Sequence, residues 1–136
     1  EADIMTLSFH CDKNFPAKKP ASDIDIALPK ETGDALFLDH FYSVVETVVN
    51  LHQPDLILYD AGVDIHCDDE LGYFNVSTNG LYLRDLFMMN IAQERGIPLA
   101  CVVGGGYRSE HQDLVSMHVQ LLHAAIDSRK SSLQSN

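Results

Sequence analysis

Basic residues are scarce in this chain: nine Lys and Arg stand against twenty Asp and Glu, for a formal net charge of −11. Such a surface repels nucleic-acid phosphates and anionic membranes, so neither is expected as a direct ligand, whereas cationic substrates remain compatible. Cysteine is scarce too. Cys11, Cys67 and Cys101 are odd in number and unrelated in spacing. They do not read as a disulfide framework or a Cys-rich zinc module, and reduced thiols in a cytoplasmic protein are expected. No apolar run is long enough to span a membrane, and no secretory signal is visible at the start. Internal repeats and long linkers are also missing. What remains, in 136 residues that are 46% hydrophobic, is one domain or part of one, with enough apolar side chain for a core. The first element begins almost at residue 1, from which upstream sequence is expected.

The hydrophobic pattern alternates between strand and helix. Ile4 to Phe9 is a short apolar strand, and Asp23 to Leu28 alternates polar and apolar as an edge or half-buried strand does. Residues 34–52 set Phe37, Phe41, Val45, Val48 and Val49 at helical spacing, and Pro54 ends that helix. Leu56 to Tyr59 and Leu99 to Val103 are continuously apolar, as strands covered on both faces are. Between them Ser77 is a candidate N-cap for a helix burying Leu83, Leu86, Phe87 and Ile91, with Gly96 and Pro98 closing it. Residues 111–127 form the last helix, with Leu114, Met117, His118, Leu121 and Ala125 on one face, and 128–136 form a polar, frayed tail. The fold class is therefore α/β, with a mainly parallel sheet flanked by helices. Ligands in such folds bind beyond the carboxyl ends of the strands, which directs attention to the residues just after Phe9, Tyr59 and Val103.

Those three places read Ser8-Phe9-His10-Cys11-Asp12-Lys13-Asn14-Phe15-Pro16, Asp60-Ala61-Gly62-Val63-Asp64-Ile65-His66-Cys67-Asp68-Asp69-Glu70-Leu71-Gly72, and Gly104-Gly105-Gly106-Tyr107. Taken alone each leaves alternatives. Asp64 is a metal-binding carboxylate or a cap for the next element. The glycine turn before Tyr107 presents a side chain or cradles a phosphate, although it lacks the GxGxxG pattern and the Lys-Ser/Thr pair of a P-loop. Phe15 is a pocket wall or a loop anchor, Leu71 a pocket rim or plain packing, and a serine at a strand end is ordinary. His40, His52, His118 and His123 fall on helices as surface or packing residues. His10 and His66 lie nearer the site, where His66 could line a rim.

As an ordered set, the three segments resemble the zinc-dependent histone deacetylase superfamily over residues 3 to about 125. YDAGVD followed by LG, then Arg-Asp on a helix, then GGGY is most similar to its class IV and bacterial members. The resemblance implies an arginase/deacetylase-like three-layer α/β/α fold, with residues 1–127 as the C-terminal portion of the domain and 128–136 as the tail. It implies hydrolysis of an N-acyl amide on lysine or a polyamine. Asp64 then corresponds to a zinc ligand and Tyr107 to the residue that stabilises the oxyanion. Gly105 and Gly106 shape the turn beside the substrate, and Phe15 and Leu71 border the acyl-lysine tunnel. Ser8 and the Phe9 carbonyl correspond to part of a monovalent-cation site for K+ or Na+. Asp69 corresponds to an acidic position that organises the loop.

Two features of that family are missing here. No Asp-x-His precedes the first strand, and no His-His pair occurs; in the relatives both lie upstream. One carboxylate does not hold zinc usefully, since catalytic sites normally have three protein ligands, so these 136 residues alone are expected to be inactive. A part-sheet also exposes strand edges and apolar helix sides, and self-association is expected. Two other readings stay open, a non-catalytic scaffold of the same fold and an α/β nucleotide-binding domain.

Overall fold

β-branched and aromatic residues spaced two apart give the first strands. In the computed structural model, which describes residues 3–134, β1 (Leu7–Cys11) and β2 (Ile24–Leu28) pair in parallel, with Leu7 opposite Ile24 and Cys11 opposite Leu28. β3 (Ile57–Asp60) and β4 (Leu99–Val102) form a second parallel pair, with Ile57 opposite Leu99. Among the described residues the pairs do not bond to each other, so the expected single sheet is two two-stranded sheets. Three helices alternate with them: α1 (Asp34–His52), α2 (Thr78–Glu94) and α3 (Asp113–Gln134). The α/β class and the strand–helix order agree with the sequence pattern.

The helical spacing of α1 buries Phe37, Phe41, Val45, Val48 and Val49 together. Phe9 of β1 stacks into that stripe, its ring 5.1 Å from Phe41 and 6.1 Å from Phe37. Phe87 of α2 closes the cluster against Phe41 and Tyr42. Full burial of each such side chain contributes about 1.5–3 kcal/mol, which makes this aromatic group the main tie between the first sheet and the helices. Helix ends follow the local chemistry. The Ser77 hydroxyl accepts the Gly80 N–H at 3.0 Å, and Ser77 donates through its N–H and hydroxyl to Asp34, so the starts of α1 and α2 are joined. Gly96, just past α2, takes the left-handed φ of 66° expected there.

Four expectations are corrected. The first strand lies at Leu7–Cys11, later than Ile4 to Phe9, because its start is set by pairing with β2. The second pair is not covered on both faces: Tyr59 is buried, but Leu56, Leu58, Val102 and Val103 are exposed, since no described element covers that side. In α2 the buried stripe is Leu81, Arg84, Asp85, Met88, Ile91 and Ala92, with Leu83 and Phe87 only partly buried at its margin. The helix is rotated because Arg84 and Asp85 turn inward. Finally, α3 runs to Gln134, well beyond residue 127, and Ser128 is buried with its hydroxyl donating to Gln93 at 3.0 Å. That contact with α2 holds what a polar composition alone reads as a frayed tail; residues 1, 2, 135 and 136 lie outside the described part.

Candidate active site

Parallel pairing brings the carboxyl ends of β3 and β4 side by side, and the ladder continues past both strands. Ala61 donates its N–H to the Val102 carbonyl at 2.9 Å, and Val63 to Gly104 at 3.1 Å. The loop carrying Asp64 and the glycine turn therefore leave the sheet together. They are then bound side by side. The Asp69 carboxylate accepts the N–H groups of Leu71 at 2.9 Å, Gly72 at 2.7 Å and Tyr107 at 2.6 Å. Glu70 donates its N–H to the Tyr107 carbonyl at 3.1 Å and accepts from the Ser109 N–H and hydroxyl. Those two bonds hold the Glu70 carboxyl below its usual value. Arg108 adds a bond to the Asp68 carbonyl at 2.9 Å and an ion pair with Asp113 at 2.8 Å. Asp69 thus organises the loop, as its position in the sequence suggested.

Asp64 is half-buried, and its carboxylate rests against Gly105, whose φ is 57°. A Cβ at Gly105 would collide with that carboxylate, and one at Gly72 with the Asp64 carbonyl. Both positions need glycine because Asp64 approaches them so closely. Burial pushes the Asp64 carboxyl above its ordinary value, and Asp69 and Asp60 add to the push, while its own backbone N–H and Arg84 oppose it. A carboxylate held this way, among other acids, is suited to a cation. The same arrangement opposes the phosphate reading of the turn, since Asp60 faces Gly104 and Asp64 faces Gly105.

Leu71, Gly106 and Tyr107 meet in one open cleft of about 320 Å³, bordered also by Glu70, Arg108, Ser109 and His111. Asp64 is not among its walls; it lies against the preceding turn residue. Tyr107 is half-exposed there, its backbone fixed by Asp69 and Glu70. Phe15 is not brought to this cleft: it is 84% exposed on the loop after β1. Ser8 and Phe9 are in β1, where the Ser8 hydroxyl meets His10 Nδ1 at 3.0 Å and the Phe9 ring belongs to the aromatic core.

The expectation of His66 at a rim is not met. It is buried, with Nε2 3.0 Å from the Thr78 hydroxyl and Nδ1 accepting the Asp68 N–H at 3.1 Å. Nδ1 accepts that bond and so carries no proton, which makes His66 a structural imidazole, and burial pushes its pKa down. Ligand-type atoms of His66, Cys67 and Asp68 lie within 4.8 Å of one another. That group is nevertheless spent, because Nδ1 is already an acceptor, Arg108 sits 3.5 Å from Asp68, and desolvation and the Asp68 charge raise the Cys67 thiol above its ordinary value. Two residues read from the sequence only as helix packing and as half of an Arg-Asp pair stand close to the site. His118 of α3 stands behind the turn near Gly106, with a buried Nδ1 that finds no partner among the described residues. Arg84 reaches the Asp64 loop from below, donating from Nη1 to the Gly62 carbonyl at 2.7 Å. Its signal in the sequence is a charged Arg-Asp pair inside an apolar helical stripe.

Comparison with known proteins identifies the family and the fold. A family model described as histone deacetylase domain matches residues 1–122. An uncharacterized protein of Picosynechococcus sp. is 40% identical over 124 residues, covering 91% of this chain and 41% of that protein. The acetoin utilization protein AcuC of Staphylococcus aureus is 36% identical over 83 residues, covering 61% of this chain and 21% of its own length. Among solved structures, acetylpolyamine aminohydrolase from Burkholderia pseudomallei superposes with a TM-score of 0.75 at 18% identity, over 90% of this chain and 38% of that one. The chain thus spans less than half the length of these relatives. By its matched residues and its fold, the chain belongs to the histone deacetylase domain family.

Proposed function

We propose that the chain forms the C-terminal part of a zinc-dependent deacetylase that hydrolyses an N-acyl amide on lysine or a polyamine. The observation that carries this reading is the pair of bound loops: Asp64 against Gly105, and Tyr107 clasped by Asp69. The donor chemistry fits one zinc ligand. Asp64 is a hard oxygen donor whose closest charged neighbours are mostly acidic. The remaining ligands and the proton-moving histidines come, in this reading, from sequence outside these 136 residues, so the chain alone is inactive. Zinc, when bound, supplies a Lewis acid for the acyl carbonyl and lowers the pKa of water.

The chain's own part is positioning and charge stabilisation. Tyr107 donates its hydroxyl to the oxygen that becomes negative as the carbonyl carbon turns tetrahedral, an interaction stronger in the transition state than in the ground state. The clasp by Asp69 fixes the backbone from which that phenol projects. Leu71 gives the cleft an apolar side for a methylene chain, and the acidic surface draws in a cationic carrier. Phe15, if it borders the substrate, does so only after its loop moves. Ser8 and the Phe9 carbonyl are proposed for K+ or Na+ on the family resemblance alone. Three free thiols are compatible with a reducing, cytoplasmic setting, and no described helix is long and apolar enough to cross a membrane. The exposed side of β3 and β4 supports self-association of these 136 residues by themselves.

The test is acetate release from an N-acetyllysine peptide and from N-acetylputrescine by the protein expressed with its upstream sequence and loaded with zinc. Asp64→Asn and Tyr107→Phe should each abolish most of it. Undiminished turnover in both variants would overturn the assignment.

A further inference from the structure

Arg84 and Asp85 are 4% and 2% exposed, in the middle of the buried stripe of α2. A buried guanidinium is costly unless its donors are answered, and apolar residues of similar volume often serve stability as well or better. Asp85 answers only one side of it. Arg84 Nε donates to Asp85 Oδ1 at 2.9 Å, and Nη2 lies 2.8 Å from the same oxygen without hydrogen-bond alignment. The buried Tyr59 hydroxyl donates to that oxygen too, at 2.6 Å. Nη1 points elsewhere, to the Gly62 carbonyl at 2.7 Å. Gly62 lies two residues before Asp64. The N–H groups on either side of it, Ala61 and Val63, are spent on Val102 and Gly104. The Gly62 carbonyl is therefore bonded to α2 two residues before Asp64, as His66 is bonded to Thr78 two residues after it.

We infer that Arg84 is a positioning residue for Asp64: through the Gly62 carbonyl it ties the Gly62–Asp64 loop to the buried Arg84–Asp85 pair of α2. The inference rests on the reading of Asp64 as a metal ligand. The planar fork holds Asp85 through Nε and Gly62 through Nη1 in one fixed geometry, whereas the donors of a lysine ammonium radiate from a single atom.

Amide hydrogen exchange on the full 136-residue chain tests this without metal or turnover. In Arg84→Lys, which keeps the charge beside Asp85, the Ala61 and Val63 amides should exchange at least about tenfold faster. Val45 and Val49 on α1 should stay within about twofold of the unaltered chain. Equal acceleration at both sets, or none at Ala61 and Val63, overturns the inference. A second measurement covers a variant that fails to fold. In the unaltered chain the Arg84 guanidinium protons should resonate separately and exchange slowly; averaged, fast-exchanging signals overturn it. Failure of the deacetylase reading is seen separately, in acetate release by the Asp64 and Tyr107 variants.

Discussion

The carboxylate of Asp69 accepts the backbone N–H of Tyr107 at 2.6 Å, although 38 residues of sequence separate them. The same side chain holds Leu71 and Gly72, so one residue ties the loop after Asp64 to the turn presenting the phenol. Hydrogen bonds to a charged acceptor contribute about 1.5–3 kcal/mol where buried and less at a half-exposed site. Asp69→Ala should therefore destabilise the chain by about 1–3 kcal/mol in thermal or denaturant unfolding. In the whole enzyme it should lower kcat more than it raises KM. Asp69→Asn keeps an oxygen acceptor and should lose less. An alanine variant as stable and active as the unaltered protein would show that the clasp does nothing.

How far these features are legible in the sequence depends on their range. The stripe of Phe37, Phe41, Val45, Val48 and Val49 is a local period, and the structure buries all five. The cap at Ser77 and the left-handed Gly96 are also local chemistry. Leu58 and Val102 mislead because continuous apolar character says that a strand is sticky on both faces, not that both are covered. Residues 128–134 mislead because the helix runs on past 127, anchored to α2 at the buried Ser128, a contact that composition does not show. Asp64 and Tyr107 can be picked out by their place after strands and by resemblance. Arg84 is visible only as half of the Arg-Asp pair in that resemblance; its burial is not legible, since hydrophobic periodicity treats an arginine as a surface residue.

Asp64 should cost the metal-free chain stability. Its carboxyl is raised above 3.8 in the folded state, chiefly by burial. The native chain therefore binds its proton more tightly than the unfolded chain does. Stability attributable to this group falls as pH rises from 3.8 through the raised folded value, and the penalty persists at neutral pH. With a chelator present, Asp64→Asn should melt higher than the unaltered chain at pH 7, and the advantage should vanish once the pH is below both values. In the zinc-loaded whole protein the order should reverse, because the variant forfeits ligand-linked stabilisation. A lower melting point for the variant at pH 7 in chelator would contradict the account of burial.

Leu58 is 78% exposed in the middle of β3, with Leu56 and Val102 exposed beside it. Contiguous apolar surface next to unpaired strand edges favours association between chains, even against a charge of −11. Light scattering of the 136-residue chain should show a mass that grows with concentration. Leu58→Lys, which removes an apolar side chain already in water, should shift the population towards monomer with the circular dichroism unchanged. A sharp monomer for the unaltered chain at all concentrations, with cooperative melting, would count against this.

Tyr107 should matter to rate and hardly at all to folding. Its side chain is half-exposed beside Leu71, and the bonds that fix it run through its backbone, which phenylalanine keeps. Removing one donor from a developing oxyanion typically costs about 10²–10³ in kcat. Tyr107→Phe in the whole enzyme should show that loss with KM and melting temperature nearly unchanged, the pattern of an interaction made in the transition state. Tyr82 is the control. It is a tyrosine of α2 whose hydroxyl donates to Asp127 on α3 at 3.2 Å, so Tyr82→Phe removes a helix-to-helix bond and should leave turnover intact. If Tyr82→Phe and Tyr107→Phe slow the reaction alike, the phenol at the glycine turn has no special place in the chemistry.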